Sequence, residues 1–404
     1  MVAKPRPAPS ILDFTTWRAA TRKEVVQFVR KDRSVRTLPE RGRTKDLIVR
    51  SRLRPVDIYA YLRARFGEPN GFQNFLRKDD SDNWIHWDFN LKSADADIWI
   101  AGTSRETHFV VGQALTDREW QALIVGFRGE FARTGREKST MTKSFEKFVV
   151  FQNKYVALAE VCAELHERIV DTPPFEPIRP RRSTRNPEHA AAPLRRAGER
   201  ANQLYGACVQ LSLLTPVLAE AYINMFALIL RRPSLRNDWD GYQAFVREKI
   251  PDRIGRLHEV CFGMEPVDRS TEAYGHFMSV VNKRNFNIHG NVDPEREAIE
   301  TVYFEGRRPL FAEAGHHLGR YFADLERLHQ PDVIVADYEW VHAFLHELTT
   351  YLAPVAKKFL SNVIDDRFPG FETRQRRVTR ILPDVVVMGL PGLARYDDDL
   401  RVIW

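Results

Sequence analysis

Residues 171–193 read DTPPFEPIRPRRSTRNPEHAAAP, and the chain changes character across them. Prolines at 173, 174, 177, 180, 187 and 193 remove backbone donors too often for a regular helix, so the stretch predicts a break. Arg179, Arg181, Arg182 and Arg185 make it basic, and with the prolines this is the composition of a solvated linker over 172–193. Before the break, helical and strand periods mix; after it, almost every segment repeats with the period of a helix. The reading is therefore an α+β chain: a mixed α/β N-terminal domain with a small antiparallel sheet over 1–140, a connecting helix over 141–171, an all-α bundle over 194–364 and a C-terminal extension over 365–404.

Upstream of the break, residues 56–66 (VDIYAYLRARF) read as an amphipathic helix ended by Gly67 and Pro69. Residues 83–91 (NWIHWDFNL) set Trp84, His86, Asp88 and Asn90 against Ile85, Trp87, Phe89 and Leu91, the period of two that belongs to a strand. ADIWIAG (96–102) and ETHFVVG (106–112) complete a three-stranded meander. Thr116 then stands as the N-cap of a helix over 117–131, with acids in its first turn. Residues 144–170 keep a helical period throughout.

Downstream, apolar periodicity runs through 204–230, with Thr215 and Pro216 placed as N-cap and first-turn residues of a fresh helix. Further helices are expected over 239–261, 271–289 and 338–362, the last kinked at Pro354. The tail carries RQRRVTR (374–380) and then LPDVVVMGLPG (382–392), whose place in the fold the pattern does not assign.

Composition narrows the function classes. Lys and Arg number 61 against 54 Asp and Glu, a formal charge of +7 that favours acidic partners such as nucleic acid. Cys162, Cys208 and Cys261 make no CxxC pair and no disulfide framework, which fits a reducing cytoplasm. The first residues hold no apolar run of the signal-peptide kind. Residues 211–230 have the length of a membrane span, but Pro216, Glu220 and Asn224 point to a buried core helix and no membrane. The chain shows no Gly-rich phosphate loop and no GxSxG, so ATP hydrolysis and serine-hydrolase chemistry are not expected.

Two further groups have residue chemistry of their own. His342 and His346 in VHAFLHELTTY lie four apart, with His316 and His317 upstream; the order is not HExxH, so satisfied or surface histidines are expected in place of a metal site. Trp84, Trp87 and Trp99, near Lys78, Lys92 and Arg105, have the chemistry of base stacking, but alternating strand aromatics more often face a core.

The constellation with chemical content is TEAYGHFMSVVNKRNFNIHGNVDP (271–294). Tyr274, Phe277, Val281 and Ile288 mark one helical face, and Arg284 falls on the same line. A cation there must be paired, or open onto a cavity or partner surface. His289 follows five residues later, with Gly290 behind it as a helix-closing residue. Five positions differ by about 140° in azimuth, so Arg284 and His289 converge only if the last turn unwinds or two chains meet.

Residues 283–289 (KRNFNIH) are similar to the Arg-x4-6-His signature of HEPN domains, in which a polar residue often follows the Arg, as Asn285 does here. The resemblance spans about residues 194–364. It implies a four- or five-helix bundle that dimerises with both motifs facing one cleft, and a metal-independent endoribonuclease of the toxin or anti-phage (abortive-infection) kind with no cofactor. The position that in nucleotidylated relatives is a motif tyrosine is Asn291 here, so that regulation is not implied.

On this reading His289 moves protons, Arg284 grips the phosphate, Asn285 and Asn287 orient the histidine or substrate, and Lys283 contacts RNA. Attack by the 2′-hydroxyl leaves 2′,3′-cyclic phosphate ends. The expected partners are RNA, a second copy of the chain, and a regulator or trigger ligand at the N-terminal domain. The bland alternative pairs Arg284 with an acid such as Glu220 and leaves His289 as a helix cap. Two rival functions are a catalytically silent scaffold that binds nucleotide or protein, and a nucleic-acid-binding regulator using the linker and the RQRRVTR tail.

Overall fold

The computed structural model of the chain describes residues 10–32, 42–51, 53–73, 85–94, 96–103, 105–175, 187–288, 294–295, 298, 300–312, 317–381, 395–397 and 400. It forms two compact units, Met1–Glu146 with Ile381–Trp404, and Lys147–Arg380, in an α+β arrangement.

The first unit contains β1 (Arg18–Ala19), α1 (Arg22–Asp32), β2 (Arg43–Val49), α2 (Pro55–Phe66), β3 (Trp87–Lys92), β4 (Asp97–Gly102), β5 (Thr107–Thr116), α3 (Asp117–Glu130) and α4 (Gly135–Ser144). The sheet runs β1-β3-β4-β5-β2, all antiparallel, with the two-residue strand Arg395–Tyr396 added parallel to β2. The expected meander is β3-β4-β5. Its register aligns Phe89 with Ile100, Ile100 with Phe109, and Phe109 with Leu47, so one face is apolar across four strands. Ile58, Tyr61 and Leu62 of α2 and Trp120, Leu123, Ile124 and Phe127 of α3 bury that face.

Thr116 caps α3 as a capping box: its side chain accepts from the Glu119 N–H, and the Glu119 carboxylate accepts from the Thr116 N–H at 2.7 Å.

The opposite face of β3 is not solvated, as alternation alone suggests. Asp88 and Asn90 are buried. Asp88 accepts from Trp99 Nε1 and from the Gln73 N–H, each at 3.0 Å, and Asn70 Nδ2 donates to the carbonyls of Ala20 and Asn90, each at 2.9 Å. Such donors are what make a buried carboxylate tolerable. The strand aromatics are spent internally as well, Trp87 packing on Tyr59 at 5.4 Å and Lys92 pairing with Asp97 at 3.3 Å. Arg105 is exposed; Trp84 and Lys78 lie outside the described residues.

The second unit holds β6 (Phe148–Val150), α5 (Lys154–Val170), α6 (Pro187–Leu230), α7 (Pro233–Asn237), α8 (Trp239–Val246), α9 (Ile250–Val260), α10 (Glu272–Ile288), the hairpin β7 (Val302–Glu305) and β8 (Arg308–Phe311), α11 (His317–His329), α12 (Pro331–Leu348), α13 (Pro354–Ser361), and β9 (Gly370–Glu372) with β10 (Arg377–Thr379). Helix α6 has 44 residues, about 66 Å at 1.5 Å per residue, and α5, α10, α11 and α12 all pack along it. The helical bundle is built on that axis.

Several expected boundaries move. The helical period of 144–170 is cut by β6, and the helix proper restarts at Lys154 as a member of the bundle instead of a connector. Asn153, fully buried, caps it by accepting from the Tyr155 N–H at 3.1 Å while its Nδ2 donates to the carbonyls of Ile364 and Asp366 at 2.7 and 3.0 Å. β6 pairs with β9, and β9 with β10, so the basic RQRRVTR run closes a small sheet in this unit. Farther on, Asp397 accepts from the Arg50 N–H and Ser51 Oγ in the first unit, at 3.0 and 2.7 Å. The C-terminal extension is thus divided between the two units.

Residues 187–193, expected as linker, are helical, because the alanine run before Pro193 favours helix strongly enough to absorb one missing donor. Residues 176–186, with the linker arginines, and 382–394, with the VVVMG run, lie outside the described residues. The chain does not restart at Thr215 and Pro216 either. Thr215 Oγ1 donates back to the Leu211 carbonyl at 2.7 Å, and burial of Leu211 and Leu218 on either side outweighs the roughly 3 kcal/mol cost of an internal proline. At Pro354 the helix breaks outright instead of kinking: α12 ends at Leu348 and Pro354 opens α13.

Helix α6 is also the one helix among the described residues long and apolar enough to cross a membrane, and most of its apolar window is buried inside the unit. Its polar residues have partners there. Glu220 and Asn224 receive Arg253, whose Nη2 and Nη1 donate to them at 2.5 and 2.6 Å. Cys162 and Cys208 are buried free thiols pushed up to about 11 by desolvation, and Cys261 is driven up by the same cause.

Candidate functional site

Helix α10 carries the chemical motif, and its neighbours are α6 and α12. Its core line is as the periodicity predicts: Phe277 and Val281 are buried and Tyr274 half-buried. Phe277 stacks on Phe344 of α12 at 4.5 Å, and His276 stacks on Trp340 at 4.1 Å.

Arg284 lies one turn beyond Val281 on that line. Its Nε is shut off from water and has no hydrogen-bond partner, and no carboxylate pairs with it among the described residues. The acid suggested as its partner, Glu220, is held by Arg253 instead. Lys283, expected to touch RNA, pairs with Asp337 of α12 at 2.8 Å, a half-exposed bridge of small energetic weight. The helix continues to Ile288, so the last turn does not unwind ahead of His289. Nothing is described of the side chains of Asn285 and Asn287, and His289, Gly290 and Asn291 lie outside the described residues.

Next to Asp337 the structure gathers a group that periodicity did not. Tyr338 lies between two imidazoles, 5.0 Å from the ring of His166 on α5 and 4.5 Å from that of His342. Both histidines have a buried Nε2 without a hydrogen bond, and His166 Nε2 stands 3.7 Å from Glu339. His166 shares its helix face with Cys162 and Ile169, a signal visible in the sequence, whereas the Lys283–Asp337 pairing across helices left none. His346 is exposed, and His316 lies outside the described residues. No cluster of three or more His, Cys, Asp or Glu that would hold a metal occurs among the described residues.

Burial, and second the neighbouring His166, hold His342 below the ordinary histidine value. The unfolded chain therefore takes up a proton that the folded one refuses. Stability contributed here is full above the unfolded value of about 6.5 and is lost as pH falls from there toward the folded value. His342→Gln is expected to flatten the fall in urea midpoint between about pH 7 and pH 5; an unchanged fall would show that His342 has no part in it.

Comparison with known proteins finds no matching family model, curated protein or solved structure. The functional reading therefore rests on the residues of α10 and their surroundings.

Proposed function

We propose that the chain is a metal-independent endoribonuclease of the HEPN kind, acting in the cytoplasm and serving toxin or anti-phage defence. The observation that supports it most is Arg284: a half-buried arginine on the core line of a bundle helix, with a buried and unpartnered Nε and no pairing acid among the described residues. A fold keeps such a charge at a cost, and a site that must grip a phosphodiester gives the reason.

In the proposed chemistry His289 takes the proton of the 2′-hydroxyl as it attacks the adjacent phosphorus, and a protonated imidazole gives one to the departing 5′-oxygen. Arg284 holds the non-bridging oxygens as charge grows on them. The products are a 2′,3′-cyclic phosphate and a 5′-hydroxyl, and the sequence of proton transfers needs no metal or cofactor. Because α10 stays helical through Ile288, the motif is read as completed by a second copy of the chain. In support, the hairpin that follows the motif leaves Tyr303, Phe304, Leu310 and Phe311 more than half exposed, an apolar surface of the sort that seeks a partner.

Wild-type protein incubated with total RNA and tRNA in EDTA is expected to cut, leaving cyclic phosphate ends, and His289→Ala to be slower by at least about a hundredfold. Equal cutting by both proteins would remove His289 from the mechanism. No cutting by either, with no toxicity on expression during phage challenge, would favour the catalytically silent scaffold.

A further inference from the structure

Arg231, the residue directly after α6, is completely buried, yet its Nε and Nη1 have no hydrogen-bond partner. Its guanidinium lies 4.6 Å from the ring of Tyr242 and 5.3 Å from that of Trp239, and its Nη2 donates to the Arg376 carbonyl at 2.6 Å. Two more arginines close around it. Arg236 of α7 donates from Nε to the Arg231 carbonyl at 3.0 Å. Arg376, in the β9–β10 turn, lies 5.8 Å from the Trp239 ring and reaches the Arg236 carbonyl at 3.4 Å.

Two of the acids close by in sequence are engaged elsewhere. Asp238 accepts from the Gly241 N–H at 2.9 Å, and Glu372 accepts from the backbone N–H groups of Arg374 and Gln375. No carboxylate pairs with Arg231, Arg236 or Arg376 among the described residues. Burial holds Arg231 and Arg236 below the ordinary arginine value, with Arg236 and Arg376 adding to it at Arg231 and Arg377 at Arg236, as expected where like charges crowd.

Bringing together three cations with no pairing carboxylate among the described residues is unfavourable for folding alone, and an incoming polyanion relieves it. The patch also has a stacking surface, since Trp239 is 38% exposed with its inner side packed toward Tyr242 and Phe371 at 5.5 and 6.4 Å. Arg376 has φ +53°, a left-handed backbone that an arginine adopts only when its surroundings hold it.

We propose that Arg236, Arg376 and Trp239, backed by Arg231, form a docking site for single-stranded RNA in which the arginines take two successive phosphates and a base stacks on the indole. The choice of RNA over another polyanion rests on the proposed ribonuclease activity; the site itself does not. Arginine forks match phosphate oxygens, and an aromatic face accepts any base, so the site would hold substrate with little sequence preference.

The test uses the full chain carrying His289→Ala, so that cleavage does not intervene, and a fluorescein-labelled 20-nucleotide RNA of mixed sequence, read by anisotropy across a salt series. Arg236→Gln with Arg376→Asn, the asparagine chosen because it tolerates a left-handed backbone, is expected to bind at least about tenfold more weakly. The same pair should lower the slope of log affinity against log salt by about 1.4, the loss of two single-strand phosphate contacts. Trp239→Ala should bind at least about fivefold more weakly with its salt slope unchanged, the lower end for one lost base stack. Arg231 is left in place because its removal endangers folding, and unchanged thermal melting confirms that the variants are folded.

Variants that bind within twofold of the parent, an affinity loss in the arginine pair without the change in slope, or a parent that does not bind the RNA would each overturn the docking site. Cleavage is scored separately on protein with His289 intact. Absent cleavage and absent toxicity during phage challenge, with patch-dependent binding, remove the ribonuclease reading and leave the site, and intact cleavage with patch-independent binding removes the site alone.

Discussion

Arg284→Ala is expected to slow RNA cleavage by about a hundredfold to a thousandfold, the range for losing one charge-stabilising donor, while leaving the fold as stable as the parent or more so. The two halves of the prediction have one cause. In the folded chain the Arg284 Nε is buried without a hydrogen bond, a condition that costs about 1–3 kcal/mol. Alanine removes that cost along with the guanidinium. A residue holding the bundle together gives the opposite pattern, with stability falling and any effect on rate following from unfolding. Arg284→Lys restores the charge but not the two-pronged donor set, so it should recover only part of the rate. Single-turnover cleavage of a labelled RNA together with urea midpoints decides the matter: a destabilised Arg284→Ala protein that still cuts at the parental rate would end the proposed role.

Arg253 provides the contrast, and Arg253→Ala is expected to destabilise the protein by about 3 kcal/mol, the lower end for removing one partner from a buried charge pair, because the Glu220 side chain is 33% exposed. Its side chain is 2% exposed and donates to Glu220 and Asn224 on α6, tying α9 to the axis of the bundle. The alanine would leave the Glu220 carboxylate without its counter-charge and open a cavity in the same step. Arg253→Met with Glu220→Leu, which replaces the pair by apolar volume, should recover most of the loss. Urea unfolding monitored by tryptophan fluorescence measures both. A single variant within about 1 kcal/mol of the parent would show that the pair contributes little, and a double variant no better than the single one would show that neither the lost volume nor the unpaired Glu220 accounts for the loss.

Both arginines stand among apolar residues at helical spacing. Periodicity placed Arg284 correctly on the buried line of α10 because that line is a property of consecutive residues on one helix. It could not say which acid would be taken by which arginine. Glu220 is an acid the sequence offers to Arg284, and the packing of α9 against α6 gives it to Arg253 instead.

What the sequence by itself determined is the local order: the meander of β3, β4 and β5, the Thr116 capping box, the helix of α2, the helical character of the second half, and the arginine on the core line of α10. Each is written in neighbouring residues, whose side chains alternate or recur on a face whatever the rest of the chain does. Only the tertiary structure decided the rest. It made α5 a bundle member, carried α6 through Pro193 and Pro216, gave Lys283 to Asp337, set His166 beside Tyr338, and drew Arg231, Arg236 and Arg376 together from positions up to 145 apart. These depend on which surfaces meet when apolar area is withdrawn from water, and that gain is summed over the whole unit, so it overrides a local proline or linker signal wherever the buried area is large enough.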